Sequence, residues 1–204
     1  MVHRRVLVLG LALFVLTAAG VALGVTAGGG HHSHPARPVA DSPVAVAGSP
    51  AAYGFLVTQT SNQCGLQADR ITSMPAAMHL QGSCCSRMDE RSYRAQVDYL
   101  RRHRIDGAIP KDPYDIPVAL VQRMLGYDHS VRLNRVAQAT YRRAMAMASE
   151  KGPCCCRCWR WDAFRGLSKH LIVVRRISAH TLALLIGALD GCGGRADQVG
   201  GRPV

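Results

Sequence analysis

The chain has 204 residues, of which 48% are hydrophobic, and a formal net charge of +12 at pH 7. This length accommodates one ordinary domain with appendages. The sequence contains no glycine-rich phosphate loop, nucleophile elbow or His-Glu-x-x-His motif, so the enzyme classes that those motifs identify are excluded and no catalytic residue is predicted. The basic residues are not interleaved with aromatic residues as they are in nucleic-acid platforms. We therefore expect a solvated basic surface and no nucleic-acid partner.

Residues 1–27 are the most apolar part of the chain. Arg4 and Arg5 precede an uncharged apolar run over residues 6–27. A run of this length spans a bilayer, and the arginines before it place the N-terminus in the cytoplasm. The sequence therefore predicts a transmembrane anchor in contact with membrane lipid, in a single-pass protein of the cytoplasmic membrane with its C-terminal domain outside. The alternative is a signal segment whose removal leaves a secreted or periplasmic protein.

Residues 28–52 are rich in glycine, proline, alanine and serine, which predicts a flexible linker. Within it, His31, His32 and His34 form a short tract of potential metal ligands, although a mobile linker provides no preformed geometry. A cysteine-rich helical domain is predicted over residues 53–194, followed by a tail over residues 195–204.

The first part of the predicted domain shows little periodicity. Residues 53–60 contain a short apolar run without an evident partner strand, and we interpret them as a loop. Residues 61–83 are interpreted as a segment that wraps the domain, with Cys64 as its main structural contribution. Residues 111–117 are rich in proline and are interpreted as a turn.

Five helices are predicted from residue 84 onward. The first opens at Cys84-Cys85-Ser86, because Ser86 followed by Asp89 is typical of a helix N-terminus with an acid in its first turn. The others are predicted over residues 118–126, over residues 130–151, from Pro153 onward and after Ser178. No strand pattern is evident after residue 84. The sequence therefore predicts an all-α fold, a compact bundle of about five helices behind the N-terminal segment.

Half of the eight cysteines occupy residues 154–158. A glycine and a proline precede them, which favours a new helix that begins there. In its first turn, free N–H groups and the helix dipole would stabilise a thiolate. On a helix, Cys158 shares a face with Cys154 and Cys155, whereas Cys156 points elsewhere.

The stretch Pro153-Cys154-Cys155-Cys156-Arg157-Cys158 resembles the Pro-Cys-Tyr-Cys-x-Cys motif of a family of small exported bacterial proteins known by that motif. Cys155 stands where the family has tyrosine, and Arg157 where it usually has glycine. The family's activity is uncharacterised, and metal binding is a hypothesis about the role of its cysteines. The resemblance implies an exported, cysteine-centred domain.

The predicted functional site is a metal centre built from cysteines at three places in the chain. To the motif are added the pair at the start of the first predicted helix and a cysteine in the glycine-rich turn after the last helix, where the backbone can approach closely. Thiolates select soft ions, so the expected cofactor is Cu(I) or Zn²⁺. The candidate ligands are Cys154, Cys155, Cys156, Cys158, Cys84, Cys85 and Cys192.

Two other functions stay open at this point. Thiols outside the membrane tend to be oxidised, so the cysteines would alternatively form a disulfide framework that staples a helical binding or structural module. Cys155 and Cys158 also have the spacing of a thiol–disulfide exchange motif. No βαβ pattern precedes that pair, which removes the usual support for this function.

Overall fold

The structure, a computed structural model, describes residues 45–193. The predicted anchor, the histidine tract and the predicted tail lie outside the described residues. Within the described part, the mainly helical architecture confirms the predicted class, and none of its helices has the length and apolarity of a membrane span. The elements are α1 Pro50–Leu56, α2 Ala68–Thr72, β1 His79–Gln81, α3 Glu90–Arg102, β2 Asp115–Pro117, α4 Val118–Ser130, α5 Arg135–Met147, α6 Trp159–Arg175 and α7 Ala179–Ala188.

Side-chain caps fix where three of the long helices begin. Asp89, Asn134 and Ser178 each precede a helix, and each accepts a hydrogen bond from a backbone N–H in its first turn. The predicted start of α7 after Ser178 is confirmed. The predicted start of α3 at residues 84–86 is wrong, because Asp89 rather than Ser86 provides the cap. Both cysteines of that segment therefore lie in a loop.

Two predicted boundaries also move in the middle of the chain. Helix α4 does not end at Gly126 but continues to Ser130, because its last turn packs closely against α6. Helix α5 is shorter than the predicted range of residues 130–151, since the Asn134 cap starts it later and it ends at Met147.

The region before residue 84 has more secondary structure than predicted. Residues 53–60 are not a loop, because the first four belong to α1, which begins inside the predicted linker and is capped by Ser49. Strands β1 and β2 pair in antiparallel orientation with Leu80 opposite Ile116. Part of the predicted proline turn is therefore a strand, and the prediction of no strand after residue 84 is wrong. Strands of three residues are too short for apolar alternation to reveal them.

The main core is built on the crossing of α4 and α6. The two backbones approach so closely that a Cβ atom added to Gly166 would lie 2.0 Å from the carbonyl oxygen of Met124. Near the end of α4, the buried carboxylate of Asp128 accepts hydrogen bonds from Arg165 Nε and Lys169 Nζ, each 2.7 Å long. The apolar residues buried at this crossing include Leu120, Val121, Met124, Phe164, Leu167 and Leu171. This packing fixes the position of α6, which directly follows the cysteine motif.

Replacing Gly166 with alanine is expected to destabilise the domain by about 1–3 kcal/mol, because the added methyl group forces α4 and α6 apart. The matched control is Gly126→Ala, also inside a long helix, where an added Cβ meets nothing within 4 Å. That change is expected to be neutral or to stabilise by up to about 1 kcal/mol through helix propensity. Urea unfolding of both variants measures the difference, and equal effects would contradict the close approach of the two helices.

Candidate metal centre

The cysteine motif lies in a turn and not in a helix. Helix α6 begins at Trp159, and Cys158 is its N-cap residue, with extended backbone angles of φ −96° and ψ −174°. The predicted helix start at Pro153 is therefore wrong. The physical reason is the anchoring of Trp159. Its ring is fully buried, and its backbone N–H donates a hydrogen bond of 3.0 Å to the carbonyl oxygen of Leu66. Helical spacing consequently does not decide which sulfurs meet.

The loop before α3 and the chain after α7 are tied together beside this turn. The N–H of Cys84 donates to the carbonyl oxygen of Gly191 over 3.0 Å, and the hydroxyl of Ser86 donates to the carbonyl oxygen of Cys192. Gly193 has a φ of +95°, and a Cβ atom there would collide with the Ser86 hydroxyl oxygen. A glycine at this position therefore allows the tight turn that carries Cys192 to the motif.

The sulfurs of all eight cysteines form one continuous cluster of free thiols. The Sγ atoms of Cys155 and Cys84 lie 2.9 Å and 3.1 Å from that of Cys192. On another side of the cluster, Cys64 Sγ lies 3.2 Å from Cys156 Sγ. The structure thus brings together all seven predicted candidates and adds an eighth.

The sulfurs fall into four sulfur triplets, in each of which all three Sγ atoms lie within 4.8 Å of one another. Within the described residues, no set of four sulfurs meets this distance. The triplets are Cys64, Cys85 and Cys156; Cys84, Cys85 and Cys192; Cys154, Cys155 and Cys192; and Cys154, Cys156 and Cys158.

This grouping corrects the arrangement predicted for the motif. Cys156 was predicted to point away from the other sulfurs, but it forms a triplet with Cys154 and Cys158. Cys155 was predicted to share a face with Cys158, but it joins Cys192 instead. Both differences arise because the motif is an irregular turn. Its side chains do not follow the spacing of 3.6 residues per turn on which the prediction relied.

Cys64 is the residue that sequence reasoning missed as a candidate ligand. Its segment reaches the motif because the backbone hydrogen bond from Trp159 to Leu66 holds the two stretches side by side. No local pattern around Cys64 indicates this contact. The available signal was indirect, since Cys64 is the one cysteine of eight that the predicted site left out.

The cluster is buried on one side and open on the other. Cys154 and Cys158 are 6% and 1% exposed, and they face the hydrophobic core. Cys64, Cys85 and Cys155 are exposed. An ion can therefore reach the sulfurs from solvent without an opening of the core.

A fully buried cation, Arg160, lies next to the cluster. Its guanidinium donates hydrogen bonds to two carbonyl oxygens, that of Leu189 at 3.2 Å and that of Pro113 at 2.6 Å. Its Nε has no hydrogen-bond partner in the part of the chain that the structure describes. Among the described residues, no carboxylate forms an ion pair with it. The positive charge of Arg160 opposes the rise that burial causes in the pKa of Asp112 and of Asp190. These two carboxylates and the Cys84 thiolate are the groups near the guanidinium that can supply negative charge.

The thiols of the cluster have strongly unequal pKa values. Hydrogen bonds from Cys158 and Cys192, together with the positive charge of Arg160, lower the pKa of Cys84 to about 5. Desolvation raises the pKa of Cys155 to about 12. Hydrogen bonding to neighbouring sulfurs raises the pKa of Cys192. The Cys84 thiolate therefore forms readily, whereas Cys155 and Cys192 retain their protons until another cation neutralises them.

Comparison with known proteins adds no relative. No family model, curated protein or solved structure matches the chain. The resemblance of the motif to the exported Pro-Cys-Tyr-Cys-x-Cys proteins stays a prediction. The functional argument therefore rests on the chemistry of the cluster.

Proposed function

We propose that this protein binds a soft metal ion, Cu(I) or Zn²⁺, through clustered cysteine thiolates in a domain held on the outer side of the cytoplasmic membrane. The observation that carries the proposal is the convergence of all eight sulfurs, from four separate stretches of chain, into overlapping triplets. Packing alone does not require sulfur at these positions, and thiolates are the protein ligands that soft ions prefer.

The number of sulfurs in each group favours Cu(I) over Zn²⁺. Structural zinc sites are almost always tetrahedral and take four protein ligands. The sulfurs here group in threes within 4.8 Å. Cu(I) accepts digonal or trigonal thiolate coordination, so a triplet completes its donor set. A zinc ion would need a water molecule or a rearranged fourth sulfur.

The electrostatics also favour metal binding over thiol–disulfide exchange. An exchange motif needs an accessible cysteine whose pKa is lowered. The accessible first cysteine of the predicted exchange pair, Cys155, instead has its pKa raised to about 12 by desolvation. The lowered pKa belongs to Cys84, outside that pair. A metal ion uses both kinds of sulfur, because its charge replaces the protons that the crowded thiols retain.

Titration of the reduced full-length protein against a chromogenic Cu(I) chelator tests the proposal. We expect Cu(I) to move from the chelator to the protein and to stabilise the fold by about 4 kcal/mol when free Cu(I) exceeds the dissociation constant a thousandfold. Zn²⁺ is expected to stabilise less. The disulfide-stapled module predicts the opposite pattern, in which the protein isolated without reductant has no thiols to alkylate and its melting temperature responds to reductant but to neither metal.

Substitution of single cysteines locates the site. Cys158→Ser is expected to weaken Cu(I) binding by about 100-fold or more, because outer partners of metal ligands alone are worth about 10–100-fold. Cys158 is buried and belongs to a triplet. Ser86→Ala, in the neighbouring loop but without a sulfur, is the control and is expected to change affinity much less. Competition with the same chelator measures both, and equal effects would remove Cys158 from the site.

A further inference from the structure

The four sulfur triplets are joined to one another in a closed ring. Each triplet shares one cysteine with the next: Cys85 joins the first to the second, Cys192 the second to the third, Cys154 the third to the fourth, and Cys156 the fourth to the first. The remaining cysteines each belong to a single triplet; they are Cys64, Cys84, Cys155 and Cys158. Four shared and four unshared sulfurs therefore alternate around the ring.

We infer that this ring is a polynuclear site that holds one Cu(I) ion in each triplet, four per chain, with the shared cysteines as bridging ligands. The inference rests on the proposed function and deepens it. A thiolate sulfur has lone pairs enough to bind two soft ions at once, so a shared cysteine serves both of its triplets. Each ion then has two bridging sulfurs and one terminal sulfur, which is a trigonal set.

The donor count sets the ring apart from a site for one ion. With four triplets and eight sulfurs, every cysteine of the chain is used, and none is left without a role. A site for one ion would use three or four sulfurs and leave the others as crowded, desolvated thiols.

A buried cation beside the ring offsets part of the charge of the loaded site. Binding exchanges up to eight thiol protons for four singly charged ions, with no change in oxidation state, so the loaded ring carries up to four negative charges. The buried guanidinium of Arg160 offsets part of this charge, although the carboxyls of Asp112 and Asp190 also lie in its field. Because Cys64, Cys85 and Cys155 are exposed, water and dissolved salt screen the charge on that side of the ring.

The test is the limiting copper content of the reduced full-length protein, measured by elemental analysis after desalting from excess Cu(I) and chelator. We expect about four ions per chain and a short copper–copper distance in X-ray absorption spectra. A limit of one to three ions with clear stabilisation overturns the ring and leaves the proposed function intact. A limit of zero overturns both.

Two exposed cysteines of one triplet provide a matched pair of variants. Cys85 belongs to two triplets, whereas Cys64 belongs to one, and both are exposed, so neither substitution removes a core side chain. Cys85→Ser is expected to lower the limit from about four ions to about two, and Cys64→Ser to about three. Equal losses from the two variants, with circular dichroism unchanged, would overturn the sharing of sulfurs that the ring requires.

Discussion

Replacement of Arg160 with methionine is expected to lower the free energy of unfolding of the reduced, metal-free domain by about 3–5 kcal/mol. Methionine fills much of the volume, so the loss comes from polar contacts. The carbonyl oxygens of Leu189 and Pro113 are buried and lose their donor. A buried acceptor without a partner costs about 1–3 kcal/mol. Cys84 loses the cation that stabilises its thiolate.

The pH dependence of stability separates the electrostatic part of this effect. Because the pKa of Cys84 is about 5 in the folded domain and 9.0 for the free side chain, its thiolate contributes stability fully above about pH 9. This contribution is lost as the pH falls to about 5. In Arg160→Met this slope is expected to flatten only in part, because hydrogen bonds from Cys158 and Cys192 lower the pKa of Cys84 more than Arg160 does. The control is Arg157→Met. The guanidinium of Arg157 is exposed, and its Cζ lies 4.0 Å from the centroid of the Trp161 ring. Urea unfolding under reducing conditions measures the free energy of unfolding of both variants between pH 5 and pH 9, the range between the two pKa values of Cys84.

An Arg160→Met variant as stable as the wild type, with the same pH slope and the same Cu(I) affinity, would refute a role for the guanidinium at the cluster. Loss of stability without a change in slope would limit Arg160 to its carbonyl contacts. The two readings are distinguishable because only the first involves a titrating sulfur.

Replacement of Trp159 with alanine is expected to destabilise the domain by a similar amount, about 3–5 kcal/mol, as is typical when a buried tryptophan is truncated. The ring is fully buried against Phe164, and its Nε1 donates to Asn62 Oδ1 over 3.2 Å. The control Trp161→Ala removes a half-buried ring two residues away and is expected to cost about 1 kcal/mol.

Copper adds a second measurement to the Trp159 prediction. The side chain holds the end of the cysteine turn, so its removal is expected to weaken Cu(I) binding as well as folding. Saturating Cu(I) is expected to restore part of the lost stability, because an ion that binds only the folded state stabilises it by mass action. Equal losses in the Trp159 and Trp161 variants, by urea unfolding and chelator competition, would show that burial of this ring does not organise the turn.

The helical class and several helix ends were predictable because their causes are local. Ser178 caps α7 through a contact three residues along the chain, and the apolar residues of α7 recur at helical spacing. At α3, two residues able to cap compete, Ser86 and Asp89, and local sequence does not decide between them. The outcome depends on the distant chain after α7, to which Ser86 donates its hydroxyl proton.

The site was predictable in composition but not in arrangement. Seven candidate ligands could be named because cysteines crowd into short stretches, and clustered thiolates are the ligands that soft metal ions prefer. The assignment of Cys156 failed because it assumed a helix where burial of the Trp159 ring imposes a turn. Cys64 failed because it meets Cys156 across 92 positions of sequence, and contacts at that separation leave no trace in local pattern.

The ring of sulfurs also orders events in time. Of these eight cysteines, Cys192 is synthesised last, and it belongs to two of the four triplets. Until it arrives, half of the donor sets are incomplete, and the tie between Cys84 and Gly191 that positions them has not formed. A chain still emerging from the ribosome or the export machinery would thus be a poor competitor for copper. Loading would then mark a domain whose chain segments have all come together.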